Sequence, residues 1–465
     1  MLIPTAKSAV TALLLVLWLA VVALNWPGHF STDSLIQLLE GRTGHYETWH
    51  PPVMSLLLGL ADAVTPGAGL FAAFDATLLF GSLLLLVRVR DQVSWWAIPV
   101  LAACALTPQF LLYPGLVWKD VLFAHACVAG FACLAFAGGR WERRDLRVAF
   151  AALALVFLSL AALTRQNGIV VSLCGALAFY DIARARAKAS SLAHGAAFLA
   201  AMLLAIIAAM FALISEADGG KGRVDEIKML QLYDLAGAAS ADHTLPLPAL
   251  HRADPAFESL IRHDGARLFT PIRVDTLQKS PALEAARGTA SPTLMAVQWR
   301  DLIVHHSLLY LKERAAIFRW TFLTPDLDRC VPFVVGFEGP AHLLWILNIA
   351  PRHDARDVAL ETYAERFVGT PIFSHGFFAI LAVAMGLVLF RRRGPSDLAV
   401  AWLLVGAGVF TLTFFVISLA CDYRYLYLLD VAAMTGAFQV ALGSQSRVGR
   451  SNDDTGGTSH HAPTA

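Results

Sequence analysis

Residues 9–25 read AVTALLLVLWLAVVALN, and the nine residues that follow read WPGHFSTDS. The first stretch carries no charge and is long enough to cross the hydrocarbon core of a bilayer as a helix. The second is a polar, turn-rich loop whose single acid is Asp33. We predict that Asp33 lies at the centre of an active site just outside a membrane and that later loops of the chain face it.

The composition excludes a soluble globular protein. Of the 465 residues, 57% are hydrophobic and only 15% are charged, and the mean hydropathy is +0.60. We therefore expect an all-α polytopic membrane protein with about ten transmembrane helices. The net charge of +1 gives no indication of nucleic acid as a partner.

Apolar runs define the expected topology. Runs long enough to span lie near residues 9–25, 68–87, 94–112, 117–137, 148–163, 168–182, 192–214, 371–390, 398–420 and 423–442. Residues 51–64 are apolar but too short to cross, so we predict a helix that lies at the outer surface. The expected units are an amino-terminal transmembrane domain at 1–214 with a first periplasmic loop at 26–67, a periplasmic insert at 215–370, carboxy-terminal transmembrane helices at 371–442 and a disordered cytoplasmic tail at 443–465.

Positive charge is distributed unevenly between the two sets of short loops that this topology defines. One set carries fifteen basic residues and the opposite set carries four. Because cytoplasmic loops are enriched in Lys and Arg, both termini are predicted to be cytoplasmic. A spanning segment at 51–64 would place the Arg-rich loop 140–147 outside, which this bias excludes.

The insert contains one stretch with a clear helical pattern. Residues 296–323 carry apolar and aromatic side chains at helical spacing and predict a long amphipathic helix. Lys312, Arg314 and Arg319 lie among these aromatics. This arrangement is typical of a helix at a lipid headgroup surface, and equally of a helix that packs on its own domain.

Six cysteines fall into two groups. Four lie inside apolar runs and are interpreted as small core residues. Cys330 and Cys421 could form a disulfide if both face an oxidising compartment.

Asp33 is the first candidate site residue. Asp33 could instead have a structural role as a helix cap, because residues 31–33 could cap a short helix from Ser34 to Glu40. His50 precedes a Pro-Pro pair that would fix the start of the surface helix and turn His50 back toward the loop of Asp33. We interpret both residues as part of the site.

Further charges lie in three later loops that the topology places on the same face. They are Lys119 and Asp120 at the start of the fourth span, Arg165 with Asn167 in a five-residue link, and Arg424 between Tyr423 and Tyr425. Each group has an ordinary alternative: a snorkelling Lys, an Asn-Gly turn and an interfacial anchor, respectively. Charges beside a membrane-spanning segment are costly unless they are paired or functional.

The convergence of these groups on one face favours chemistry on a lipid phosphate. An acid can take the proton of an acceptor hydroxyl group. Several cations near a lipid surface can stabilise the phosphate that departs. The pattern therefore predicts transfer of a group whose leaving group is a lipid phosphate.

The same residues resemble the C-type membrane glycosyltransferases, a superfamily that includes the protein O-mannosyltransferases and the aminoarabinose transferases of lipid A. The shared features are one extracytoplasmic Asp after the first span, His-Pro-Pro where relatives often have Lys-Pro-Pro, a non-spanning helix, an Asp at the start of the fourth span and an Arg-Tyr near the last. The stretches Ser-x-Asp-Ser, Trp-Lys-Asp-Val-Leu-Phe and Arg-x-Asn-Gly are similar to an uncharacterised bacterial branch. The resemblance covers roughly residues 1–215 and 370–442.

The resemblance implies a role for each candidate residue. Asp33 would be the catalytic base, and Asp120 would position substrate or a metal. The donor phosphate would be held by Lys119, Arg165 and Arg424, and the substrate-binding residues would be His50, Asn167, Tyr423 and Tyr425. The chain departs from the family in having Thr32 and Ser34, not a second acid, beside Asp33. One carboxylate is a poor site for a hard cation, so a divalent metal cofactor is left open.

The predicted function is that of an integral membrane glycosyltransferase of the bacterial inner membrane. It would move a hexose or pentose, with inversion, from a polyprenyl-phosphate-linked donor to a lipid or glycan acceptor of the cell envelope on the periplasmic face. One alternative is a transporter or flippase for a lipid-linked glycan, and another is an O-antigen polymerase or ligase. The candidate charges cluster at one surface of the membrane, whereas transporter sites usually lie near its midplane, and this favours the enzyme over the transporter.

Overall fold

The computed structural model describes residues 5–46, 51–186, 190–214 and 221–443. The tail beyond residue 443 and the candidate residue His50 lie outside the described residues. The α-helices are α1 Ala6–Asn25, α2 Thr32–Thr43, α3 Pro52–Val64, α4 Gly69–Arg88, α5 Ala97–Ala105, α6 Pro108–Leu111, α7 Lys119–Gly139, α8 Arg144–Thr164, α9 Ile169–Arg186, α10 Ser191–Ile214, α11 Lys221–Ala241, α12 Pro248–Ala253, α13 Pro255–Leu260, α14 Ala266–Leu268, α15 Pro281–Thr289, α16 Pro292–His305, α17 Ser307–Leu323, α18 Ala341–Leu347, α19 Ala355–Glu365, α20 His375–Arg392, α21 Pro395–Ile417 and α22 Tyr427–Ala441.

Eight of the described helices are long and apolar enough to cross a membrane: α1, α4, α7, α8, α9, α10, α20 and α21. α5 and α6, with the turn that follows, meet at a bend of 82° and make a ninth pass if the two pieces cross as one broken span. Pro108 begins α6, where a residue without a backbone N–H is tolerated. The predicted all-α polytopic membrane fold is therefore confirmed.

The tenth predicted pass is shorter than expected. α22 has 15 residues after a 3₁₀ turn at Tyr423–Leu426, whereas a spanning helix needs about 20. It nevertheless runs beside α20 over its whole length. His375 at the start of α20 contacts Asp430, and Arg392 at its end donates to the carbonyl oxygen of Val440. The last segment thus covers the same depth as α20, and it does so in the interior of the bundle.

Successive passes run in opposite directions, so the segments that connect them lie on two opposite faces of the bundle. The face that carries residues 26–46, 113–118, 165 and 418–426 is called the loop face. On the opposite face, Arg90 forms a buried ion pair with Asp397 at 2.6 Å. Lys7 donates to the carbonyl oxygen of Arg90. These contacts join the first pass to the link after α4 and to the start of α21.

α2 and α3 pack against each other on the loop face. Trp26 at the end of α1 contacts Gly69 at the start of α4, so the chain leaves and re-enters the bundle at one place. α3 has 13 residues and is about 20 Å long, which is less than the roughly 30 Å of a hydrocarbon core. At the crossing of the two helices, a Cβ on Gly41 would lie 2.3 Å from the carbonyl oxygen of Ser55. Only glycine permits so close an approach.

Residues 221–370 form nine helices, α11 to α19, between α10 and α20. α11 to α17 share a hydrophobic cluster that is separate from the core of the membrane bundle. The predicted single helix at 296–323 is two helices, because the chain breaks at His306 between α16 and α17. Arg314 is buried and pairs with Asp234, so it contacts the insert itself and not a lipid surface.

The insert also holds the segment that precedes α22. An antiparallel bridge joins Arg273 to Ala420, and Arg314 donates to the carbonyl oxygen of Ser418 at 2.9 Å. A disulfide links Cys330 to Cys421, as the sequence suggested. The other four cysteines are free and buried. Three separate parts of the insert therefore fix one short stretch of the loop face.

The position of α3 is testable by accessibility of single cysteines. His45 and Pro66 flank α3, and Gln92 lies beyond α4 on the opposite face; all three are exposed. We expect His45→Cys and Pro66→Cys to react with a membrane-impermeant thiol reagent added outside intact cells, and Gln92→Cys to react only after permeabilisation. Labelling of His45→Cys and Pro66→Cys from opposite sides would show that α3 spans.

The glycine crossing makes a second prediction. Gly41→Ala should lower the thermal unfolding temperature of the purified protein, because overpacking a tight contact costs about 1–3 kcal/mol. Gly81→Ala in α4 is the matched control, since a Cβ there meets nothing within 4 Å. That substitution should be neutral or slightly stabilising, through the higher helix propensity of Ala. Equal effects of the two substitutions would contradict the close packing of α2 on α3.

Candidate active site

His29 anchors the loop that leads into α2. Its Nε2 lies 3.0 Å from Oδ1 of Asn25, and its Nδ1 accepts a hydrogen bond from the backbone N–H of Gly336 at 3.0 Å. Its own backbone N–H donates to the carbonyl oxygen of Gly115 at 2.9 Å. Burial, reinforced by the charge of Arg352, lowers the pKa of His29 to about 3. The ring is therefore neutral at neutral pH and joins the first loop to the insert and to the link before α7.

Asp33 lies in the first turn of α2. Ser31 is the N-cap residue, and the Oγ of Ser34 accepts from the Ser31 backbone N–H at 3.2 Å. The indole N–H of Trp118 donates to the Ser31 Oγ at 3.0 Å. The helix thus begins at Thr32, two residues earlier than predicted, and Asp33 is not its cap. Its carboxylate is available to contact another part of the chain.

That contact is an ion pair with Arg424. Oδ2 of Asp33 lies 2.5 Å from Nη2 of Arg424, and the same nitrogen lies 3.2 Å from Oδ2 of Asp422. The side chain of Asp33 is 36% exposed and that of Arg424 is 13% exposed. Burial opposes the charge on Arg424, but Asp33 and Asp422 outweigh it and raise the pKa of the guanidinium group. Arg424 is therefore a permanent cation beneath an accessible acid.

Asp120 lies deeper, in the first turn of α7, and its side chain is only 2% exposed. Arg165 donates to Oδ1 of Asp120. The Nε of Arg424 lies 3.7 Å from Oδ2 of the same carboxylate. Asp120 therefore holds two arginines from different loops side by side.

Aromatic rings flank these two guanidinium groups. The Cζ of Arg424 lies 4.9 Å from the ring centre of Trp118, and the Cζ of Arg165 lies 5.0 Å from that of Tyr425. Such contacts favour a cation in a site with little water. Burial lowers the pKa of Arg165 to about 10, so it still carries its charge at neutral pH.

Lys119 completes the cluster. It is the residue before Asp120 at the start of α7, and the charges of Arg165, Arg424, Asp33 and Glu226 are near enough to influence it. Glu226 belongs to α11, so the insert contributes an acid to the cluster. The structure thus brings together five of the predicted residues around one point: Asp33, Lys119, Asp120, Arg165 and Arg424, with Tyr425 beside them.

The remaining predicted residues are placed elsewhere. Asn167 donates from Nδ2 to the hydroxyl oxygen of Thr413 at 2.9 Å and so ties two passes together. Tyr423 is buried and donates its hydroxyl hydrogen to Asp430 at 2.7 Å. These contacts hold the scaffold around Arg424. His50 lies outside the described residues.

Ionisable side chains also lie inside the bundle, where the sequence analysis placed none. Asp75 of α4 and His125 of α7 are 3.1 Å apart, and Nε2 of His125 is 2.8 Å from the hydroxyl oxygen of Tyr427. All three are buried. The signal was present in the sequence, because an acid and a histidine each interrupt an apolar run, and such residues are functional or paired.

Asp422, Trp118 and Glu226 were not assigned roles from the sequence. Asp422 stands two residues before Arg424 in Asp-Tyr-Arg-Tyr, and Trp118 stands two before Asp120. Adjacency to assigned residues could have indicated both. Glu226 has no comparable signal, because only the fold of the insert brings α11 to the loop face.

The acids of the site do not fit a divalent metal. The carboxylates of Asp33 and Asp120 both contact the guanidinium group of Arg424. Within the described ranges no group of three or more His, Cys, Asp or Glu side chains could hold a metal ion. A hard cation needs six or more oxygen ligands in the case of calcium and octahedral geometry in the case of magnesium. The positive charge of this site is supplied by arginine and lysine.

The arrangement has a defined chemical capability. A partly exposed acid can accept a proton from a hydroxyl group that approaches from the loop face. Cations below it, walled by aromatic rings, can bind an anion and stabilise charge that develops on it. The acid Asp33 therefore lies nearer the surface of the loop face, and the cations lie deeper in the bundle.

No protein-family model and no curated protein matches this chain. Among solved structures, the chain matches the archaeal oligosaccharyltransferase AglB from Archaeoglobus fulgidus, in complex with an inhibitory peptide and a dolichol-phosphate. The sequence identity is 16% and the TM-score is 0.41. The match covers 94% of this chain and 50% of that chain, so this chain spans about half the length of the archaeal protein.

Proposed function

We propose that the protein is an integral membrane glycosyltransferase that moves a hexose or pentose from a polyprenyl-phosphate-linked donor to a cell-envelope acceptor. The observation that carries the proposal is the contact of Asp33 with Arg424 at 2.5 Å. Asp33 and Arg424 come from opposite ends of the chain, and their contact supports the proposal that a base and a phosphate ligand share one reaction centre. The motifs that resemble the C-type membrane glycosyltransferases supply both residues.

The proposed reaction is a single displacement at the anomeric carbon of the donor sugar. The acceptor hydroxyl oxygen forms a bond to that carbon while the bond from the carbon to the phosphate oxygen breaks. The electron pair of the broken bond stays on the phosphate, and Asp33 takes the proton of the hydroxyl group. Because the acceptor attacks from the side opposite the phosphate, the configuration at the anomeric carbon is inverted.

Arg424 and Arg165 have the task of charge stabilisation in this reaction. A phosphodiester leaves as a phosphate monoester with one more negative charge, and fixed guanidinium groups offset that charge where it develops. Asp120 contacts both arginines and is buried, so we assign it a positioning role. Lys119 adds a third cation at the start of α7.

The setting of the reaction follows from charge and from the position of the site. We assign the loop face to the periplasm of a bacterial inner membrane, on the strength of the bias of basic residues toward the opposite loops. A donor with a polyprenyl tail would enter laterally from the lipid, and its phosphate would lie at the level of the arginines. The acceptor, a lipid or a glycan, would approach Asp33 from the aqueous side.

One observation favours a second candidate, a transporter or flippase for a lipid-linked glycan. Asp75 and His125 are ionisable, buried and 3.1 Å apart inside the bundle, where such groups often mark a transport path. In that case the arginines would bind phosphate without chemistry. An O-antigen polymerase or ligase has no comparable support, because nothing in such a role requires the single acid at Asp33.

The base role of Asp33 is tested by Asp33→Asn. We expect turnover of polyprenyl-phosphate sugars to fall about a hundredfold or more, which is the usual contribution of a general base. Donor consumption by the purified protein would be followed by mass spectrometry with a panel of donor sugars and envelope acceptors. Asp62→Asn is the matched control, because Asp62 forms an ion pair with Arg42 at 2.7 Å on the same face but away from the cluster. Unchanged turnover in Asp33→Asn would exclude the base, and tight donor binding without any turnover in the wild type would favour the transporter.

The phosphate role of Arg424 is tested by Arg424→Ala. We expect the affinity for a polyprenyl phosphate to fall about tenfold or more, because a charge-assisted hydrogen bond to phosphate is lost. The measurement is a binding titration in detergent, with thermal unfolding to verify that the variant is folded. Arg42→Ala is the control. Arg42 also pairs with an aspartate, and its side chain is 31% exposed, so its removal should leave the affinity unchanged. Equal affinities of Arg424→Ala and the wild type would remove Arg424 from the donor site.

A further inference from the structure

Both arginines that the proposed function assigns to phosphate already face a carboxylate of the chain. Arg424 contacts Asp33 and Asp422, and Arg165 contacts Asp120. The site is therefore occupied by its own acids before any substrate arrives. A phosphate can bind closely only if some of these contacts are exchanged.

The contacts differ in how readily they can be exchanged. Asp120 is 2% exposed, and its removal from Arg165 would leave a buried charge without a partner, which is costly. Asp33 is 36% exposed, so water can replace Arg424 as its partner. Asp422, which contacts the same nitrogen of Arg424, is only 15% exposed. The contact of Asp33 with Arg424 is thus the one that a donor phosphate would replace.

We propose that Arg424 is an exchange residue, which pairs with Asp33 in the free protein and transfers to the donor phosphate on binding, so that the base is released only once the donor is in place. The inference rests on the proposed function and adds an order of substrate binding to it. In the free protein, the cation on Oδ2 makes Asp33 a weaker base toward a hydroxyl group. After the exchange, Arg424 faces the phosphate oxygens and Asp33 faces the acceptor.

The exchange has a chemical consequence. Binding of a donor adds a negative charge next to Asp33 at the moment when Arg424 leaves it. A carboxylate that loses a cationic partner and gains an anionic neighbour becomes a stronger base. The donor therefore activates Asp33 for its own consumption. When no donor is bound, the ion pair keeps Asp33 from contacting an acceptor that has no sugar to receive.

The test is a binding cycle that needs no turnover. The probe is farnesyl phosphate, a short polyprenyl phosphate, titrated into the purified full-length protein in detergent, with farnesol as the neutral control. Asp33→Asn removes the competitor for Arg424, so it should bind farnesyl phosphate about tenfold more tightly than the wild type. Arg424→Gln should bind it more weakly, and Asp33→Asn should bring no gain in the Arg424→Gln background. Asp62→Asn serves as the control for loss of a carboxylate on the same face.

Each outcome of the cycle decides the matter. A gain in Asp33→Asn that disappears without Arg424 supports the exchange. Unchanged or weaker binding in Asp33→Asn would overturn it, and so would a gain that persists in the Arg424→Gln background, because the effect would then be general charge repulsion. If no variant binds farnesyl phosphate better than farnesol, both the exchange and the donor-phosphate role fail. If the cycle behaves as expected but Asp33→Asn retains turnover, the exchange stands and only the base role fails.

Discussion

The ion pair of Asp33 with Arg424 connects residues that are 391 positions apart in the sequence and belong to the first and last parts of the membrane bundle. Its geometry depends on both ends being held. On one side, Ser31 and Ser34 cap α2, and His29 fixes the preceding loop to Gly115 and Gly336. On the other side, Tyr423 is bound to Asp430 in the interior of the bundle. These contacts hold both backbones where the acid and the cation meet at 2.5 Å.

Depth within the bundle separates the roles of the acids. Asp120 is buried between two arginine partners, which fits the positioning role that we assign to it. Asp33 is exposed enough to reach an acceptor from water. Asp75 lies deeper still, next to His125, where water does not reach and a carboxylate is stable only beside a proton donor or cation. Burial thus distinguishes the three acids: Asp33, to which we assign the base role, Asp120, to which we assign a positioning role, and Asp75, which packs inside the bundle.

Much of the fold could be predicted from the sequence, because hydropathy, loop charge and proline positions act locally. Eight of the passes and the shortness of α3 follow from such signals. The disulfide of Cys330 with Cys421 was one possibility that the sequence left open. The site could be predicted only as a set of residues on one face. Which of them would meet depends on helix packing at long range, and the contacts of Asn167 with Thr413 and of Tyr423 with Asp430 could not be predicted. Glu226 could not be predicted, because its approach depends on the tertiary fold of an insert with weak local patterns.

The insert can be understood as the element that orients Arg424. The stretch 418–422 would be an ordinary link between two passes, and links of this length are mobile unless their backbone is bonded. Here an antiparallel bridge at Ala420, a hydrogen bond at Ser418 and a disulfide at Cys421 hold it from three sides. Because the last of these lies three residues before Arg424, the backbone near Arg424 is held, and the proposed exchange requires only its long side chain to turn. A fixed backbone with a movable guanidinium group is the combination that an exchange between Asp33 and a phosphate requires.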